Sequence, residues 1–375
     1  MVREGGRQPD AGNRRPAFAF LHPGAPLHRL EYHGDDETKR THRYHGANEV
    51  AGMSSASQEP PPMKVVRQHT LGGPEVLEVA EVPRPTPIPT EVLVEVHAAG
   101  VNPVDWKTRE RGAFLGEPPF ILGWDVAGMV AEVGHGVTRF AIGDEVFGMP
   151  WFPRQAGCYG EYVTAPSRHF ARKPAKLSLV EAAGLPLAGL TAWQALADLA
   201  RLGAGQRLLV TAAAGGVGHL AVQIGKALGA QVIGTASAAK HDFLRSLGAD
   251  ETIDYTTGGV AEAVLAGRSV DVALDLVGRD NPRAILPAVK PGGLLIAVTG
   301  GLSPELAAAA AEREVRTSGI LVEPDYAGLE ALAALVEEGK LRVHVDRTFP
   351  LEQAADAHRL SETGHVTGKL VLTVH

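Results

Sequence analysis

From Val65 to about Pro150 apolar and polar positions alternate, as in Val92-Leu93-Val94-Glu95-Val96, and the run from Val126 to Val133 is apolar and punctuated by glycine. A period of two predicts strands, with little helix in this stretch. Pro83 to Pro89 reads as an extended connector. Helical spacing begins at Leu190-Thr191-Ala192-Trp193-Gln194-Ala195-Leu196 and ends at Gly203. Strands are then expected at 207–212, 231–235, 251–255, 270–276 and 293–299, alternating with helices at 219–228, 240–247, 260–265 and 282–289. Gly229 and Gly248 fall where helix C-caps belong. An alanine-rich helix at 305–311 precedes a sixth strand at 315–322, and a helix at 329–338 leads to β-like segments at 341–345 and 369–374. Such alternation is the pattern of an α/β, doubly wound parallel sheet with helices on both faces.

Between the apolar run Leu208-Leu209-Val210 and the helix starting near His219 lies Ala213-Ala214-Gly215-Gly216-Val217-Gly218. A glycine turn opening a helix presents unpaired N–H groups and the positive end of the helix dipole, and glycines let a pyrophosphate approach the backbone. A dinucleotide is therefore the expected ligand of Ala214, Gly215, Gly216, Val217 and Gly218. The alternative is a plain strand-to-helix connection. Ala213 stands where the first glycine of the G-x-G-x-x-G pattern is usual, which the turn tolerates provided its φ is negative.

The strand Val232-Ile233-Gly234-Thr235 is followed by Ala236-Ser237-Ala238-Ala239-Lys240, with no acidic residue to bind a ribose 2′-hydroxyl. Ser237 and Lys240 suit a 2′-phosphate, so NADPH is favoured over NADH. Ser237 is equally placed to cap the next helix, and the two roles are compatible.

The chain has 375 residues, is 45% hydrophobic and 21% charged, and carries a formal charge of −7. This length allows two domains, and no basic footprint for nucleic acid is present. No apolar run reaches the length of a membrane span. The single cysteine, Cys158, excludes an intramolecular disulfide framework and a multi-cysteine zinc site, and fits a cytoplasmic protein. The first sixty or so residues are rich in Arg, His, Pro and Gly without apolar periodicity, and disorder is expected over 1–62. His22, His28, His33, His42 and His45 match no ligand spacing, and Met53 or Met63 is a candidate true start.

Four further motifs carry a resemblance: Ala99-Gly100-Val101-Asn102-Pro103-Val104-Asp105, Gly123-Trp124-Asp125-Val126-Ala127-Gly128, Gly143-Asp144-Glu145-Val146-Phe147-Gly148 and Gly189-Leu190-Thr191-Ala192. With the glycine turn, they resemble the medium-chain dehydrogenase/reductase superfamily, in its zinc-independent quinone oxidoreductase (zeta-crystallin-like) branch. The resemblance implies a GroES-like, mostly β domain (63–186 and 323–375) enclosing a Rossmann domain (187–322). Zinc-dependent members have a Cys where Asn102 stands and a His where Trp124 stands, so no metal is expected. The implied reaction is hydride transfer from NADPH to a quinone or α,β-unsaturated carbonyl, with a homodimer as the assembly.

By the same resemblance Asn102 lies at the nicotinamide end, where its alternative is a turn residue before Pro103. Thr191 touches the nicotinamide. Tyr255 lies near the adenosine phosphate, and Lys369 near the cofactor phosphates. Leu276, Val277 and Gly278, with Thr299 and Gly300, end strands at the carboxyl edge of the sheet, where cofactor is bound. Tyr159 is a candidate proton donor, although an aromatic in such a strand is more often core. Trp106 and Trp124 are candidate walls for an aromatic acceptor, and Asp105 is expected to pair with Lys107 near the substrate pocket. Two other readings share the cofactor: an enoyl reductase acting on carrier-bound acyl chains, and a nucleotide-binding protein without turnover.

Overall fold

A computed structural model describes residues 61–375. Of the extension expected to be disordered over 1–62, residues 1–60, with the five histidines and Met53, lie outside the described residues, whereas Pro62 already belongs to the first strand and pairs with Pro83.

The first eight strands are β1 (Pro62–Gln68), β2 (Glu78–Pro83), β3 (Glu91–Val101), β4 (Phe120–Ile121), β5 (Val126–Val133), β6 (Glu145–Gly148), β7 (Tyr162–Pro166) and β8 (Phe170–Arg172). β2-β1-β4 form a small sheet. The larger β sheet has the order β15-β16-β3-β5-β6-β8, with β7 also on β3; β15 (Val345–Pro350) and β16 (Lys369–Thr373) return to it from the far end of the chain. Apolar side chains of alternate positions, such as Val92, Val94 and Val96 of β3, fill its core.

The third sheet is made of β9 (Arg207–Val210), β10 (Gln231–Ala236), β11 (Glu251–Asp254), β12 (Val270–Asp275), β13 (Val289–Ala297) and β14 (Arg316–Gly319). Its strands run in the order β11-β10-β9-β12-β13-β14, and each pairs in parallel. This is the dinucleotide-binding order, with the switch point between β9 and β12, where a crevice opens at the carboxyl ends of the strands.

Ten α-helices accompany the strands among the described residues: α1 (Pro103–Arg111), α2 (Leu179–Ala183), α3 (Pro186–Trp193), α4 (Gly218–Ala227), α5 (His241–Ser246), α6 (Val260–Leu265), α7 (Asn281–Ile285), α8 (Pro304–Ala311), α9 (Tyr326–Glu337) and α10 (Ala354–Glu362). Two depart from expectation. α1 falls in a stretch where little helix is expected, because its inward face is polar: Asp105, Thr108 and Arg109 are its buried residues, so no apolar stripe marks it. α10 was missed for a related reason, burying only Ala354, Ala357 and His358. The helix predicted from Leu190 starts earlier, with Pro186 at its first turn, and continues as a wider π turn over Gln194–Leu199. The strand expected at 341–345 begins only at Val345.

Candidate functional site

The glycine turn lies between β9 and α4. Gly218 is required by close packing: a Cβ there would lie 2.4 Å from the Ala212 carbonyl oxygen and 2.7 Å from the Ala213 Cα. Helix and strand can approach only over a bare Cα. Ala213 avoids positive φ, and the left-handed residue is Ala212, at φ 46°. The N–H groups of Gly216, Val217 and Gly218 have no hydrogen-bond acceptor among the described residues, as expected of a helix N-terminus that binds an anion.

His219 fixes this turn. Its Nδ1 donates to the Gly215 carbonyl at 2.9 Å, and its Nε2 accepts the His344 N–H at 3.3 Å. That tautomer is neutral, and burial pushes the imidazole down to about 4.

Two cavities meet at the turn, both lined by Ala212, Gly215, Gly364 and Val366. The larger, of about 700 Å³, runs over the ends of β10 and β11 past Ser237, Lys240, Tyr255, Thr256, Val277 and His365. Ser237 precedes a short 3-10 turn without using its side chain as a cap, so its hydroxyl is available to a ligand. Lys240 Nζ donates to the His365 carbonyl at 2.7 Å and to the Val366 carbonyl at 3.4 Å, tying segment 364–366 across the crevice. Tyr255 is 57% exposed at the rim.

The smaller cavity, of about 230 Å³, is lined by Asn102, Leu187, Ala188, Gly216, Leu276, Val298, Thr299 and Lys369 among others. The Thr299 hydroxyl is buried there without a partner. Asn102 ends β3 and precedes Pro103, and the Asp105 carboxylate accepts the Asn102 N–H at 2.6 Å, capping α1. The Asn102 side chain is free for another task. Its Nδ2 donates to Asp125 Oδ2 at 2.8 Å, and its Oδ1 accepts from Lys369 Nζ.

Asp125, fully buried, joins the two halves of the protein. Its Oδ1 accepts the Leu187 N–H at the start of α3 at 2.7 Å, and its Oδ2 lies 3.3 Å from Lys369 Nζ. Gly100 makes room for it, since a Cβ there would come within 2.7 Å of Asp125 Oδ2. A lone carboxylate inside the apolar run Trp124-Asp125-Val126-Ala127 was the available signal, because a buried charge needs a partner.

Several sequence-predicted residues stand elsewhere. Asp105 does not pair with Lys107. It is fully buried, and burial with Asp125 nearby pushes its carboxyl up to about 7. Lys107 instead lies over the Trp106 ring, 5.5 Å from its centroid. Tyr159 does not reach either cavity: it is fully buried, with its hydroxyl 3.1 Å from His358 Nε2. His358 Nδ1 is in turn 3.4 Å from Arg109 Nη1, whose guanidinium also donates to Glu362 at 2.6 Å. Trp124 is buried, donating to the Arg154 carbonyl at 2.6 Å and meeting Phe152 edge-on, and Trp106 is half-buried; neither lines the two cavities. The Thr191 hydroxyl bonds back to the Leu187 carbonyl at 2.7 Å within α3. Lys369, expected at the phosphates, runs its stem beside Gly216 but ends on Asn102 and Asp125. Gly278 and Gly300 take positive φ at the strand ends, where a Cβ on Gly278 would strike Thr299.

Comparison with known proteins agrees with this geometry. Residues 88–175 match the alcohol dehydrogenase GroES-like domain family, and residues 247–372 match the zinc-binding dehydrogenase family. The chain is 37% identical over 315 residues to a chloroplast envelope quinone oxidoreductase homolog of Arabidopsis thaliana, covering 80% of this chain and 95% of that protein. An NADPH-dependent alkenal/one oxidoreductase, chloroplastic, of the same plant is 34% identical over 339 residues, covering 87% and 83%. The solved quinone oxidoreductase of Coxiella burnetii superposes with a TM-score of 0.78 at 39% identity, covering 84% of this chain and all of that one. Fold and site are those of a two-part, dinucleotide-binding oxidoreductase. The chain belongs to the medium-chain dehydrogenase/reductase superfamily, in its quinone oxidoreductase branch.

The second family's description names zinc, and the donor set here does not fit it. At position 102 an amide is bonded to an ammonium and a carboxylate, and at position 124 an indole offers a donor only. Zinc wants three or four N, S or O ligands. Among the described residues no three His, Cys, Asp or Glu side chains gather to supply them.

Proposed function

We propose that the protein transfers a hydride from NADPH to a quinone or an α,β-unsaturated carbonyl without a metal. The observation that carries this reading is the continuous crevice from Ser237 and Lys240, past the unpaired N–H groups of the glycine turn, to the cavity at Asn102. Its relatives' names support both the cofactor and the acceptor class.

Bound there, NADPH supplies the hydride from its nicotinamide C4. The N–H groups of Gly216, Val217 and Gly218 meet the pyrophosphate, while Ser237 and Lys240, with Tyr255 at the rim, meet the 2′-phosphate. Leu187, Ala188, Leu276 and Val298 wall the small cavity and exclude water from the reacting atoms. Asn102, turned by Lys369 and Asp125, keeps one N–H to orient an acceptor oxygen, and Thr299 offers its unused hydroxyl. Quinones and enones delocalise incoming charge themselves, so alignment does most of the work asked of the protein.

The homodimer of our reading is supported by β14, an edge strand with no partner on its outer side among the described residues, and by Leu321 exposed just beyond it. Among the described residues no helix is long and apolar enough to cross a membrane.

A panel of para-quinones, short enones and enoyl thioesters, followed as NADPH loss, tests the proposal. Turnover of the quinones and enones is expected. Turnover confined to thioesters would point instead to carrier-bound acyl chains, and tight NADPH binding with no oxidation would point to a binding protein.

A further inference from the structure

We propose that Lys369 is a catalytic residue: its ammonium donates a hydrogen bond to the acceptor oxygen and stabilises the negative charge that hydride transfer places there. The inference rests on the reductase reading above.

Lys369 opens β16, whose next residue, Leu370, pairs with Val101 of β3, so the lysine stands across from Asn102. Only 2% of it is exposed. Burying an ammonium is strongly unfavourable unless charge and hydrogen bonds offset it. Two partners do so, Asn102 Oδ1 and Asp125 Oδ2. An ammonium carries three N–H donors, which leaves one without an acceptor among the described residues, on a side chain that lines the small cavity.

The neighbouring amide is equally constrained. Lysine can only donate and a carboxylate only accept, so Asn102 must turn Oδ1 to Lys369 and Nδ2 to Asp125. One Nδ2 hydrogen also remains. The cavity is thus offered a cation and an amide N–H on adjoining residues, held in place by a buried carboxylate. The apolar walls at Leu187, Ala188 and Val298 raise the strength of both.

When an enone is reduced, the hydride leaves C4 of NADPH with its electron pair and forms a C–H bond at the β-carbon. The C=C pair shifts and the carbonyl pair moves onto oxygen, giving an enolate and NADP⁺. The enolate takes a proton from Lys369 Nζ, and solvent returns one to the amine. The sum is NADPH, a proton and the enone giving NADP⁺ and the saturated ketone. A quinone follows the same electron count, but aromatisation spreads the charge and makes its oxyanion far less basic. Stabilisation by a fixed donor therefore matters more for the enone.

The test compares wild type with Lys369→Met on an enone and on a para-quinone, alongside NADPH binding measured without acceptor. Losing one donor to a developing oxyanion costs roughly 100-fold or more in kcat. That loss is expected for the enone, with a much smaller one for the quinone and little change in NADPH affinity. Because methionine strands the Asp125 carboxylate, the same pair is compared in an Asp125→Asn background, where the same acceptor selectivity is expected. Equal losses with both acceptors together with weaker NADPH binding would overturn the proposal and assign Lys369 to the cofactor phosphates. Unchanged enone turnover would overturn it as well. Wild type that reduces neither acceptor would instead bring down the reductase reading itself.

Discussion

Removing the Ser237 hydroxyl and the Lys240 ammonium together lowers kcat/KM for NADPH by about 100-fold or more, since two hydrogen bonds to a charged phosphate contribute roughly 1.5–3 kcal/mol each. NADH, which has no 2′-phosphate, is expected to change only a few-fold. The double variant Ser237→Ala, Lys240→Ala is read with both cofactors and one acceptor. Selectivity is the informative quantity, because Lys240 also ties segment 364–366 across the crevice through the His365 and Val366 carbonyls. Loosening that segment would penalise both cofactors alike, whereas loss of a phosphate contact penalises one. Equal losses would remove Ser237 and Lys240 from the 2′-phosphate site. The absence of an acidic residue after β10 carries the same expectation, since a carboxylate there would repel the phosphate and favour NADH.

Acidification from about pH 6.5 to about pH 4 destabilises the fold by roughly 1 kcal/mol per pH unit through three buried groups. Burial holds His219 down to about 4 and His358 down to about 3, against 6.5 in an unfolded chain. In this window the unfolded chain binds two protons on these rings that the folded protein refuses, so stability falls with pH. Asp105 acts in the opposite sense. It keeps its proton up to about 7 when folded but gives it up near 3.8 when unfolded, so its contribution is present at low pH and lost as pH rises. The balance is one extra proton on the unfolded chain. Asp105→Asn removes the opposing group, retains an oxygen to accept the Asn102 N–H, and steepens the slope to roughly 3 kcal/mol per pH unit. Urea titrations across this range measure both slopes. An unchanged slope in the variant would show that Asp105 is ionised in the folded protein.

The parallel half of the fold was readable because each strand is a short apolar run and each helix carries an apolar stripe or a glycine stop. α1 and α10 were not, since they bury Asp105, Arg109 and His358, which pattern analysis assigns to the surface. The same distinction divides the site. Its phosphate end is written locally, in Gly215 to Gly218 and in Ser237 and Lys240. Its acceptor end depends on partners far apart in the chain: Lys369 meets Asn102 across 267 positions and Asp125 across 244, and Arg109 meets His358 across 249. No periodicity encodes such meetings. Tyr159 shows the converse: in the sequence it is a candidate proton donor set against the commoner core role, and in the fold it is core, its hydroxyl occupied by His358.

The fate of the reacting hydrogen tests metal-free hydride transfer from the cofactor. Chelator-treated protein is given NADPH deuterated at the transferred C4 position and an enone, and the product is analysed by mass spectrometry. One deuterium is expected on the β-carbon, at a rate the chelator does not change. A product without deuterium, or activity that disappears with the chelator and returns with zinc, would contradict it.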